Sequence, residues 1–148
     1  MSKIILFTIG FTKKNAQTFF SKLRNAGITR VIDVRLNNVS QLAGFAKRDD
    51  LVFFLSELCD CDYIHIPNFA PTKEILDAYK KKKIDWDEYV KRFQALINER
   101  KIENEITSEE LNHACLLCSE PTPEQCHRGL VAGYLKDKFS DIEIEHLL

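Results

Sequence analysis

Residues 3 to 9, Lys-Ile-Ile-Leu-Phe-Thr-Ile, make a nearly continuous apolar run that stops at Gly10. A strand with one wet face alternates apolar and polar residues. A run without alternation must be covered on both faces, which calls for helices above and below a sheet. The rest of the chain supplies that pattern. Thr29 to Leu36 reads as a second buried strand, Tyr63 to Ile66 as a short one stopped by Pro67, His113 to Cys118 as a fourth, and Ile142 to Leu148 as a short last one. Between them, Ala16, Phe19, Phe20, Leu23 and Ala26 recur at helical spacing, with Gly27 where a left-handed cap belongs. Leu51, Phe54, Leu55 and Leu58 mark one face of a second helix.

After the turn Asn68 to Thr72, the Thr72 hydroxyl is placed to cap a helix beginning near Lys73. Trp86, Tyr89, Val90, Phe93, Leu96 and Ile97 define a longer helix. Residues 101 to 112 read as a polar connection. Thr122-Pro123-Glu124-Gln125 looks like a capping box with proline at the first helical position, so the last helix is expected from Pro123 to about Phe139. The order β-α-β-α-β-α-α-β-α-β predicts a single α/β domain over residues 1 to 148. Its mostly parallel sheet of about five strands carries helices on both faces, in the Rossmann-like or flavodoxin-like manner. Crossovers should be right-handed.

The composition removes several function classes. With 148 residues and a formal charge of −1, the chain has ample core but no global basic field for a phosphate backbone. A nucleic-acid partner would need a local basic surface around Arg35, Arg48 and the lysines at 80 to 83, and the sequence supports it weakly. No run approaches the roughly 18 apolar residues of a membrane span, and the apolar start is too short for a signal h-region. Five cysteines with no export signal fit a reducing, cytoplasmic setting, where clustered thiols point to metal or chemistry rather than pairing.

The chemistry concentrates between Cys115 and Arg128, where an apolar strand ends in Cys118, Glu120, Cys126, His127 and Arg128. In parallel sheets, ligands sit beyond the carboxyl ends of strands. Those tips are Gly10-Phe11-Thr12, Asp33-Val34-Arg35, His65-Ile66-Pro67 and Cys118-Ser119-Glu120, so they should share one edge. A helix starting there leaves amides free and adds partial positive charge. Arg35 and Arg128 can then hold a phosphate or carboxylate bidentately, unless they only pair internally with Asp33 or Glu120.

Glu120 is a candidate general base, acid or nucleophile toward a sugar or nucleotide. Cys126 has better electrostatics for thiolate chemistry than Cys118, which is equally readable as a core position. Asp33 is expected to orient Arg35, and His65 ranks first among the remaining histidines. Thr12 stands at the first tip. The same atoms offer a competing use, a soft metal site from Cys118, Cys126 and His127. Two neighbours on one helix would point about 100° apart, which is awkward for a single ion. Cys115 and Cys118 should face opposite sides of their strand. Small anionic ligands or nucleotides are the expected partners. The pattern identifies no cofactor, leaves oligomeric state open and does not decide whether turnover occurs.

Thr8-Ile9-Gly10, Asp33-Val34-Arg35, Tyr63-Ile64-His65-Ile66-Pro67, Cys118-Ser119-Glu120 and Cys126-His127-Arg128 together resemble the bacterial and archaeal family known as domain of unknown function 488. The combination of Cys-x-Glu with Cys-His-Arg six residues later carries most of the likeness. The resemblance implies a small α/β domain and a site location, but no reaction. Phe11 and Thr12 stand where many members have His or Tyr and a small polar residue, and residues 68 to 72 lack those relatives' glycine-containing turn.

Overall fold

The computed structural model describes residues 3–38, 44–119 and 126–148. Five strands, β1 (Ile4–Gly10), β2 (Arg30–Asp33), β3 (Asp62–His65), β4 (Ala114–Cys118) and β5 (Ile142–Leu147), form one sheet in the order β3-β2-β4-β1-β5. Every pairing is parallel. The helices are α1 (Ala16–Asn25), α2 (Arg48–Cys59), α3 (Lys73–Lys80), α4 (Trp86–Arg100), α5 (Ser108–Leu111) and α6 (His127–Lys138). The expected α/β architecture is therefore the one observed.

Burial on both faces explains the unalternating strands. Phe19, Phe20 and Leu23 of α1, with Leu51 and Leu55 of α2, pack on Phe7, Ile9, Val31, Cys115 and Leu117. Phe93 and Ile97 of α4, with Val131 and Leu135 of α6, pack on Leu6, Ile32, Leu116 and Ile142 from the other side. Cys115 and Cys118 belong to opposite faces, as the strand period requires. The chain leaves β1 toward the α1 face and leaves the adjacent β4 toward the α6 face. In parallel sheets a reversal of this kind at the carboxyl edge is the usual ligand position.

The sequence pattern leaves strand adjacency in the first βαβ unit open, and β4 lies between β1 and β2. Local chemistry explains the departures from expectation. Strand β2 stops at Asp33 rather than Leu36, since the Asp33 carboxylate accepts the Arg35 backbone N–H at 3.1 Å and turns the chain. Residues 101 to 112 hold a 3-10 turn (Ile102–Glu105) and α5, not a plain connection. A capping box between Thr107 and Glu110 starts α5, and Ile102 and Leu111 are fully buried. Strand β4 begins at Ala114, with His113 in a left-handed conformation just outside it. Cys126 is extended (φ −131°, ψ 137°), so α6 begins at His127. The anticipated capping box at residues 122 to 125 lies outside the described residues.

Candidate functional site

Register places Gly10 beside Cys118, and Asp33 beside both Leu117 and His65, which brings the strand tips to one edge. At the β2 tip, Asp33 is fully buried and Arg35 is 3% exposed. Arg35 grips the carboxylate with Nε at 2.9 Å and Nη2 at 2.8 Å. The Tyr63 hydroxyl donates to the same carboxylate at 2.6 Å and accepts from Asn38 Nδ2 at 3.0 Å. Burial and the bond to Asp33 hold the Tyr63 phenol in its protonated, donating form. Phe11 lies under the guanidinium, 5.5 Å from Cζ to ring centroid. Arg35 is thus fixed from three sides, yet its buried Nη1 has no hydrogen-bond partner among the described residues.

Two imidazoles brace the same turn. His65 Nε2 bonds the Arg35 carbonyl at 2.8 Å, and His127 Nε2 bonds the Val34 carbonyl at 2.5 Å. A carbonyl only accepts, so both rings donate from Nε2. Burial, with the Arg128 charge adding to it, pushes His127 down to about 4 against the pull of the Val34 carbonyl. The ring is neutral at ordinary pH and packs edge-on against Phe93.

Arg128, on the first turn of α6, is fully buried. Its Nε donates to Thr8 Oγ1 at 3.2 Å and its Nη1 to Cys118 Sγ at 3.4 Å. Thr8 is also bonded to His146 Nδ1 at 2.6 Å, so a chain of contacts runs from edge strand β5 to the thiol of Cys118. In the loop after β1, Thr12 N–H bonds the Ser119 carbonyl at 3.0 Å, joining the β1 and β4 tips. Lys14 follows. Its ammonium has no ion pair among the described residues, and partial burial plus the Arg128 charge hold it below its ordinary value. Such repulsion places Lys14 and Arg128 in one positive field.

Cys118, Cys126 and His127 offer ligand atoms all within 4.8 Å of one another. The expected divergence of Cys126 and His127 does not occur, because Cys126 precedes the helix as its extended N-cap. The Cys118 and Cys126 sulfurs meet within disulfide-bonding distance, but their Cα atoms are 7.7 Å apart. Disulfides span roughly 4.4–6.8 Å between Cα atoms, so this backbone suits two converging thiols better than a relaxed bridge.

The structure thus gathers Asp33, Arg35, Thr12, His65, Cys118, Cys126, His127 and Arg128 at one edge. Glu120 lies outside the described residues. Lys14, Asn38 and His146 join the site without having been singled out, while Thr8 and Tyr63 had entered only within strands and the motifs that carry the family resemblance. Thr8, the lone hydroxyl within the first apolar run, was the one readable hint. Arg35 is interior and adds nothing to a basic surface, Arg48 is engaged by Asp49, and Lys80, Lys82 and Lys83 line a separate hollow beside Tyr79. Among the described residues, no helix is long and apolar enough to cross a membrane.

A family model described as a domain of unknown function, DUF488, matches residues 15–135. The chain belongs to the DUF488 family. The matched DUF488 segment includes the Asp33-Val34-Arg35 turn, His65 and the Cys118 to Arg128 region, while Thr8 and His146 lie outside it. Comparison with curated proteins and with solved structures gave no match.

Proposed function

We propose that this DUF488 domain binds a phosphorylated or nucleotide-like anion at the carboxyl edge of its sheet, between the tips of β1, β2 and β4. The observation that carries this reading is Arg35 Nη1. A buried charged donor with no partner costs about 1–3 kcal/mol or more, and a bound anion would remove that cost. Asp33 holds the guanidinium through Nε and Nη2 while Tyr63 holds Asp33, which leaves Nη1 unpaired among the described residues, the preorganised arrangement that favours anion recognition. Arg128, Lys14 and the first turn of α6 add positive potential at the same edge.

On this reading Arg35 and Arg128 anchor the ligand, Lys14 supplements them, and Cys126 and Glu120 are the candidate reactive groups of a transferase or hydrolase. The test is isothermal titration of the purified protein with inorganic phosphate, a nucleoside monophosphate and a sugar phosphate. At least one should bind, and Arg35→Lys, which keeps charge but loses the planar fork, should weaken it at least about tenfold. The reading fails if none binds, or if Arg35→Lys and Arg128→Lys leave the affinity unchanged.

A further inference from the structure

The geometry points to a second site, one for a metal ion. We propose that Cys118, Cys126 and His127 bind a borderline-soft d10 cation of the Zn2+ type through two thiolates and one imidazole, with the fourth position open. The proposal uses neither Arg35 nor Lys14, and it makes Cys126 a metal ligand in place of the reactive role that the anion reading gives it.

The donor set fits the ion chemically. Zinc takes sulfur at about 2.3 Å and imidazole nitrogen at about 2.0–2.1 Å in tetrahedral geometry, which separates its ligand atoms by roughly 3.5–3.8 Å. Here all three lie within 4.8 Å of one another. With the two cysteine Cα atoms 7.7 Å apart, the sulfurs can retreat to that separation by side-chain rotation alone. Because His127 Nε2 bonds the Val34 carbonyl, Nδ1 is the ring nitrogen available for a metal. A carbonyl on the far side of a ligating imidazole is the recurrent device that fixes its tautomer and orientation.

The surroundings supply the rest. Cys118 and Cys126 are 1% and 4% exposed, one at a strand end and one at a helix N-cap, so each is held by a rigid element. Arg128 Nη1 donates to Cys118 Sγ and fixes where that sulfur sits. Binding releases the two thiol protons to solvent, and the two thiolates then neutralise the dication, so no oxidant or reductant enters. Cys115 faces the other side of the sheet, and Cys59 and Cys61 belong to that other face, so neither joins the cluster. Three protein ligands with an open fourth position is the pattern of reactive rather than purely structural zinc sites.

Cobalt reads the site directly. Wild-type protein, fully reduced by a phosphine and stripped of metal, is titrated with Co2+ under anaerobic conditions. A thiolate-to-cobalt charge-transfer band with intense tetrahedral visible bands should saturate at one equivalent, and Zn2+ should bleach it. Cys126→Ser and His127→Gln should each weaken binding more than about 100-fold, beyond the loss typical of a ligand's hydrogen-bond partners, while Cys59→Ser leaves the band intact. A folded, reduced wild-type protein that gives no charge-transfer band overturns the proposal. So does a band that survives in Cys118→Ser and in Cys126→Ser alike. Should a variant fail to fold by circular dichroism, the wild-type titration and the zinc displacement decide alone.

Discussion

Asp33 carries the site at the scale of single residues, because one buried carboxylate simultaneously turns the chain, fixes Arg35 and receives Tyr63. Removing the phenol hydroxyl leaves a buried carboxylate one donor short. Tyr63→Phe should therefore cost about 1.5–3 kcal/mol, the range for hydrogen bonds to charged groups, read as a lower urea midpoint with an unchanged slope. A change below about 0.5 kcal/mol would show that Asp33 does not depend on Tyr63. Lys14 behaves oppositely. Its ammonium stabilises nothing visible and is repelled by Arg128, so Lys14→Met should leave stability unchanged or slightly raised. The same variant should weaken phosphate binding by about tenfold, or 1.4 kcal/mol. Equal phosphate affinity in the Lys14→Met protein would remove Lys14 from the proposed anion site.

Among the elements, α5 is held by its cap more than by its length. Four residues cannot sustain a helix unaided, and the Thr107 hydroxyl and Glu110 carboxylate satisfy each other's backbone amides. Thr107→Ala should cost about 1 kcal/mol, whereas Phe93→Ala, in the core beneath α4, should cost about 3–5 kcal/mol; thermal melts of both proteins rank them. The contrast also explains what the sequence made legible. The α1 and α4 stripes repeat over several turns, so Phe19, Leu23, Phe93 and Ile97 announce both helix and buried face. Helix α5 offers one turn and no period, and only its Thr-x-x-Glu signature betrays it. Near Cys126 the difficulty was different. Pro123 looked like a helix start, yet Cys126 is extended, and that single backbone state decides whether Cys126 and His127 diverge or converge. Side-chain spacing cannot reveal it.

For the whole molecule, order within the sheet is what sequence patterns conceal. Alternating strands and helices announce a parallel sheet, but inserting β4 between β1 and β2 depends on contacts more than 80 residues apart. That insertion builds the site, since it sets Leu117 beside Asp33 of β2 and Cys118 beside Gly10 of β1, with Arg128 bonded to both Cys118 and Thr8. The same topology grades local stability. In β4 every residue is buried and neighbours bond it on both sides, while β5 pairs with β1 alone and has only Ile142 buried. Amides that open only with the whole fold exchange most slowly. Native-state hydrogen exchange should therefore find Cys115 to Leu117 at the global unfolding free energy, with Glu143 to Leu147 exchanging through smaller openings. Because His146 bonds Thr8, and Thr8 bonds Arg128, loosening of β5 reaches the site without unfolding it. His146→Ala should then lower phosphate affinity while β4 protection stays intact. A parallel loss of protection in β4 and β5 would instead mean that the edge strand belongs to the cooperative core, and that the Thr8 link serves stability rather than Arg128.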